Sequence, residues 1–303
     1  MTVVVLGIDG LDHALIDDFD ADAFRLETCA PLETFAYSLN RPHTADVWPS
    51  MATGVMPDEH GVSMSGEWDS GFVELGSKLV NGFESFTGLN FPGRDQLEDT
   101  AEEMGASWEP GIVSVPTMFD ERGRYVYNWP GVCRNDFLLA AWEIIYGDLY
   151  NDRIGEREFR DRMHAEDAAK FTWIERMLAF DASVVATHVH GVDSFSHAFC
   201  DDRGKLRTEY EWYGRRVQSV LETMDVDDEL LIVSDHGMET EWFAEEFTPA
   251  DHSWRAVASS TLESVPEHVL DVPTWVNDHA PDYDPELTDV ELPEDQLRDL
   301  GYI

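Results

Sequence analysis

Positive charge is scarce in this chain: 20 Lys and Arg stand against 62 Asp and Glu over 303 residues, a formal net charge of −42. A phosphate backbone or an anionic bilayer is repelled by such a surface, which excludes nucleic-acid and membrane-surface binding as expected functions. The acidic residues run along the whole chain and do not collect in a tail, and 43% of the residues are hydrophobic, too many for a disordered acidic segment. The physical reading is adaptation to concentrated salt, in which counter-ions keep a self-repelling surface compact. Cysteine is scarce as well. Cys29, Cys133 and Cys200 are widely spaced and odd in number, with no CxxC pair, which excludes a disulfide framework and a cysteine-based structural zinc site. No apolar run is long enough to span a bilayer, and the start at Met1 lacks the basic and apolar regions of a signal peptide. The expectation is a soluble, cytoplasmic protein.

What is present is a set of short apolar runs that end in ligand-type residues. Val3 to Leu6 leads to Asp9-Gly10, Ser183 to Thr187 leads to His188 and Asp193, and Leu230 to Val233 leads to Ser234-Asp235-His236-Gly237. Buried parallel strands with Asp or His at their carboxyl ends are the signature of an open α/β sheet whose site lies at those ends. Helical periodicity over Glu156–Leu178 and Tyr210–Met224 supplies covering helices. The predicted fold is α/β, a mostly parallel central sheet with helices on both faces, in a single domain over residues 1–303. Residues 63–118 lose periodicity and read as a small inserted cap. Residues 272–303 read as an acidic, proline-rich surface strap with a short terminal helix.

Five clusters carry the candidate chemistry. Asp9-Gly10 sets a carboxylate where a glycine allows close approach of a cation. Thr44 lies just past Pro42 at a helix start, where a hydroxyl is first of all an N-cap. The same place offers backbone N–H groups and a positive dipole end to a phosphate, and a metal ion could turn the hydroxyl into a nucleophile. Asp193 and His197, four apart, share one helical face and suit a single metal. Asp235 and His236, side by side at a strand end, can reach two different metals, and Asp251-His252 closes the series. Each has a plainer reading as a turn, a cap or a surface residue; the set of five does not. Two cations about 3.5–4 Å apart would clamp the attacking and leaving oxygens of an in-line displacement.

In this order the sequence resembles the alkaline phosphatase superfamily, in particular its type I phosphodiesterase and nucleotide pyrophosphatase branch. The motifs are Asp-Gly, Thr-x(9)-Gly-x(2)-Pro-x(2)-His-Gly, Asp-x(3)-His, Asp-His-Gly and a final His, spanning Asp9 to His252. The resemblance implies a metal-dependent hydrolase of small phosphate esters and an alkaline-phosphatase-like fold. Thr44 would be the nucleophile, with one metal held by Asp9, Thr44, Asp235 and His236 and another by Asp193, His197 and His252. Two divalent ions are implied, zinc by the His and carboxylate donors, with manganese or iron as alternatives. The family's asparagine beyond the His-Gly pair is replaced here by Ser65, which leaves monoester against diester open. The Cys-x-Pro-x-Arg signature of sulfatases is absent, so a formylglycine nucleophile is excluded. An idle ester-binding homologue, a phosphotransferase and a phosphonate or sulfate ester hydrolase are the alternatives. Arg41 and His43 flank the nucleophile as candidate substrate contacts. His60 is expected to brace the helix after Thr44. His188 and His190 are expected to be packed, hydrogen-bonded residues or partners that orient a metal ligand. Trp48, Trp68, Trp108 and Trp129 are assigned mainly to the core.

Overall fold

The computed structural model describes residues 1–63, 111–134, 136–244, 248 and 251–283. Val3–Ile8 forms β1, and all six residues are buried, as an unbroken β-branched run in the middle of a sheet demands. His13–Asp18 is helix α1, and Thr28–Pro31 is β2. Helices α2 (Thr44–Thr53) and α3 (Pro57–His60) follow, then β3 (Arg124–Tyr127) and α4 (Asp136–Trp142). At Glu143–Leu149 the helix widens into π-helical turns. Two long helices, α5 (Glu156–Met177) and α7 (Arg203–Thr223), flank β4 (Val184–Val189) and α6 (Gly191–Ala198). The last elements are β5 (Glu229–Val233), β6 (Gly237–Met238), β7 (His252–Ser253), β8 (Val257–Ser260) and α8 (Val272–His279).

Among the described residues, six strands make one sheet in the order β2-β8-β5-β1-β4-β3. β1 pairs in parallel with both β4 and β5, and β3 with β4; β8 runs antiparallel to β5 and β2. The predicted mostly parallel α/β sheet is therefore what forms. Alternation along β1 splits the core in two. Val4, Leu6 and Ile8 face a cluster with Phe159, Ile174, Tyr210 and Val217 from α5 and α7. Val3 and Val5 face Trp48 and Met51 of α2 and Trp275 and Val276 of α8 on the other side.

Strand β4 runs through His188 to Val189. One expectation is revised. The stretch from Val272 is helical over α8 and is no extended strap there. Pro273 sits in the first turn, where it needs no N–H partner, and Val272, Trp275 and Val276 fall on one buried face. The rest of the strap, from 284 onward, and most of the cap, 64–110 with Ser65, Trp68 and Trp108, lie outside the described residues. Where the chain returns, it packs on the α2–α3 region: the N–H groups of Ser114 and Met118 donate to the carbonyls of His60 and Ala52.

Candidate metal centre and active site

The site sits at the carboxyl ends of β1, β4 and β5. Asp9 follows β1 directly, Asp193 and His197 lie on α6 just after β4, and Asp235 and His236 follow β5. His252 is brought in by the short β6–β7 ribbon, whose ladder pairs Met238 with His252. Gly10 adopts a positive φ of 69°, and a Cβ there would lie 2.9 Å from the Asp193 Cα. Only glycine lets α6 come this close to the end of β1.

Thr44 is the first residue of α2, and the cap is supplied by its neighbour. His43 is the N-cap, its ring accepting from the Ala45 N–H, so the Thr44 hydroxyl is released from capping. That hydroxyl donates to Asp9 Oδ1 at 3.3 Å. His236 Nε2 lies 3.3 Å from the same oxygen and 3.3 Å from Asp235 Oδ2. Asp235 Oδ1 accepts from the Gly10 N–H at 3.3 Å. Beside this group, His197 Nε2 and His252 Nε2 lie 3.3 and 3.7 Å from Asp193 Oδ1, and 3.3 Å from each other. Asp9, Asp235 and His236 form one trio whose ligand atoms lie within 4.8 Å of one another; Asp193, His197 and His252 form another. The two trios touch, with the His236 and His252 rings stacked at 3.7 Å.

Backbone carbonyls fix which ring nitrogens face inward. A carbonyl only accepts, so the Nδ1 of His252, 2.7 Å from Pro42 O, and the Nδ1 of His236, 3.0 Å from Gly237 O, both carry a proton. In the neutral rings each Nε2 is then a bare lone pair aimed into the cluster. Three carboxylates also converge there, yet among the described residues none of their partners is Lys or Arg. Asp193 Oδ1, Asp235 Oδ2 and His236 Nε2 are buried without a hydrogen-bond partner. Buried acceptors facing one another are costly unless a cation lies between them.

The protonation tendencies reflect this deficit of positive charge. Burial opposes ionisation of Asp9, but nearby His190, hydrogen bonds from His188 and His190, and the His236 ring 3.3 Å away hold its carboxyl well below the usual range. Burial likewise works against the Asp193 charge, and His197 and His190 outweigh it and pull the carboxyl down. Asp235 goes the other way: burial and the Asp9 charge push it well up. Burial disfavours the His236 cation, yet Asp235, Asp9 and Asp193 raise it to about 10. Its extra proton stands where a metal ion would sit. The carboxylate and imidazole donors, the orphaned buried acceptors and the fixed tautomers all fit a divalent cation.

The family model described as type I phosphodiesterase / nucleotide pyrophosphatase matches residues 3–254, the stretch that holds every one of these side chains. The chain belongs to the type I phosphodiesterase / nucleotide pyrophosphatase family. No curated protein matches it. Among solved structures, it is similar to a mutant of TAB5 alkaline phosphatase with magnesium bound, at 12% identity and a TM-score of 0.47, with 91% of this chain and 96% of that one covered. A murine ectonucleotide pyrophosphatase/phosphodiesterase 5 is similar at 13% identity and a TM-score of 0.35, over 79% of this chain and 58% of that one.

In this phosphodiesterase-family chain the structure gathers Asp9, Thr44, Asp193, His197, Asp235, His236 and His252 into one cluster. Arg41 is half-exposed and pairs through Nε with Asp251 at 3.3 Å, next to His252. His43 lies 5.8 Å from the His252 ring, centre to centre, with its Nδ1 committed to the cap. His60 is fully buried and bridges Ser50 of α2 to the Val62 N–H, as expected of a brace. His188 and His190 both donate to Asp9, which takes them beyond packing. Two participants escaped sequence reasoning. Trp48 is core, but its indole N–H also reaches Asp9 Oδ2 at 3.1 Å, and it can do so because Gly7 leaves room: a Cβ there would lie 2.6 Å from the Trp48 ring. Asp12 anchors the β6–β7 ribbon, accepting from the Met238 N–H and the Ser253 hydroxyl and pairing with Arg255. Its place as the residue capping α1 was the available signal.

Proposed function

We propose that this chain hydrolyses phosphate esters, diesters or pyrophosphate-type bonds by family, with Thr44 as nucleophile and two divalent cations at the adjoining trios. Asp9, Asp235 and His236 with Thr44 hold one cation, and Asp193, His197 and His252 hold the other. The observation that carries this reading is the set of buried, unpartnered acceptors around the Thr44 hydroxyl. Bound cations would lower the hydroxyl pKa and neutralise the phosphoryl oxygens. Mixed imidazole and carboxylate donors favour zinc over magnesium or calcium.

The chain's own residues supply position. Thr44, at the start of the ten-residue α2, presents its hydroxyl at the helix end where the dipole favours a phosphate. Its oxygen attacks phosphorus, forming the phospho-threonine bond as the bond to the leaving oxygen breaks. Water then attacks the same phosphorus, restores the threonine and releases the phosphate product. Arg41, paired with Asp251 beside His252, and His43, whose ring faces that of His252, serve as contacts for the substrate's remaining oxygens. The acidic composition supports a free ester over a nucleic acid.

The test is turnover of bis-para-nitrophenyl phosphate and para-nitrophenyl phosphate, with and without chelator. The expected result is chelator-sensitive hydrolysis that falls on the order of 10³-fold or more in Thr44→Ala, because removing a nucleophile removes the covalent route. Chelator-insensitive activity, or full activity in Thr44→Ala, sinks the reading.

A further inference from the structure

A third group has ligand-like spacing. Asp9, His188 and His190 bring ligand atoms within 4.8 Å of one another, and all three residues are buried. The hydrogen bonds define what this group does. Three N–H groups converge on Asp9 Oδ2: His190 Nδ1 at 2.9 Å, His188 Nε2 at 3.0 Å and Trp48 Nε1 at 3.1 Å. Behind His190, the Trp142 indole donates to Nε2 at 3.1 Å. An indole N–H can only donate, so His190 Nε2 is an acceptor and the ring proton sits on Nδ1, directed at Asp9. Asp193 Oδ2 also lies 3.3 Å from His190 Nε2; a second ring proton would satisfy that contact but would set N–H against N–H at Trp142. In either state Nδ1 keeps its proton.

We propose that Trp142, His190, His188 and Trp48 form a donor cradle that saturates Asp9 Oδ2, so that Asp9 offers one oxygen, Oδ1, to the cation beside Thr44. The trio is thereby closed to a third cation. For a metal to enter, His190 would have to expose the Nδ1 lone pair and move its proton to Nε2, where the Trp142 N–H already points. Trp142 is placed for this by the junction between α4 and the π-helical turns. His190 and Trp142 are positioning residues: they act on the site through Asp9. The proposal rests on the two-cation reading for the occupant of Oδ1, while the cradle itself exists without any cation.

Two measurements test it. In metal-free protein labelled with ¹⁵N-histidine, His190 should keep a protonated Nδ1 and His188 a protonated Nε2. Zinc titration with elemental analysis should give two zinc ions per chain. His190→Leu should weaken one of the two sites about 10–100-fold and leave the other unchanged, which also certifies the fold. His190→Asn places an amide N–H where Nδ1–H stands and should recover most of that affinity. Should His190→Leu fail to fold, Trp142→Phe takes its place: it should leave the His190 tautomer mixed and weaken the same site. A third zinc in the wild type that His190→Leu removes would overturn the proposal. So would the opposite tautomer, or zinc binding untouched by His190→Leu and Trp142→Phe. Correct tautomers and two zinc ions without ester turnover would sink the hydrolase reading and leave the cradle standing.

Discussion

Asp12 and the trio Asp9, Asp193 and Asp235 all lie just beyond the carboxyl ends of β1, β4 and β5, all buried, and they are treated oppositely. Both Asp12 oxygens are filled: Oδ1 accepts from the N–H groups of Ala14 and Leu15, Oδ2 from Met238 and Ser253, and Arg255 Nε bridges the two. A full positive charge offsets its own. At the other three carboxylates no Lys or Arg arrives among the described residues, and acceptors face acceptors. The contrast separates a carboxylate kept for architecture from carboxylates kept for something that is not protein. Burial alone does not distinguish them; completeness of hydrogen bonding does.

Substitution should break this comparison in opposite directions. The largest effect is expected at the open group. Asp235→Asn should reduce zinc affinity on the order of 10²-fold or more, since it deletes a ligand where even supporting partners are worth 10–100-fold. Urea unfolding in chelator should nonetheless show the metal-free variant at least as stable as wild type at pH 7. The sign follows from Asp235 being pushed up in the fold: its ionised form, present in the unfolded chain above the usual carboxylate range, disfavours folding, and Asn removes that cost. Lower metal-free stability would mean that Asp235 is structural after all. At the closed group, Asp12→Ala should cost about 3–5 kcal/mol in the same assay, because Arg255, the Ser253 hydroxyl and three backbone N–H groups lose their partner. Loss of zinc binding in Asp12→Ala without loss of stability would dissolve the distinction.

A smaller effect concerns His60, which belongs to the closed kind. Its Nδ1 accepts from the Val62 N–H, and burial holds the ring down to about 4. An unfolded histidine titrates near 6.5, so the unfolded chain takes up this proton first. The contribution is complete above pH ~6.5 and is lost as pH falls toward 4. Urea midpoints in chelator across that window should decline, and His60→Gln should flatten the decline. The smallest effect per residue, spread over the whole surface, is that of salt. With a net charge of −42, the midpoint should rise between 0.1 and 2 M KCl, as the screening length shrinks from about 10 Å to below about 3 Å. A flat salt profile would remove the case for adaptation to concentrated salt.

Much of this was legible beforehand, for physical reasons that differ by element. β1, β4 and β5 announce themselves because strands buried on both faces leave unbroken apolar runs. Their ligands are legible because Asp and His at strand ends have few competing explanations when five such places recur in order. Helix α8 was missed because prolines and acidic residues mask a short i, i+3, i+4 pattern at Val272, Trp275 and Val276. The capping of α2 was assigned to Thr44 because the usual preference names hydroxyls, whereas His43 does the work with a ring nitrogen. Trp48 and Trp142 were invisible as site residues, since an indole reads as core until its N–H is seen to point at Asp9 or His190. Direction of a side chain, unlike its polarity, is not written in its neighbours.

The register of β1 carries a kinetic consequence. Val3 lies opposite Val184 on one side and Glu229 on the other, so β1 waits for neighbours that lie far along the chain. Until β4 leaves the ribosome, an all-apolar hexapeptide has no partner strand, and until β5 follows, Asp9 has no Asp235 or His236 beside it. Such non-local pairing folds slowly and exposes sticky edges in the interval. The pairing that completes the centre of the sheet is therefore also the one that completes the site, because β5 brings Asp235 and His236 beside Asp9 as it docks on β1.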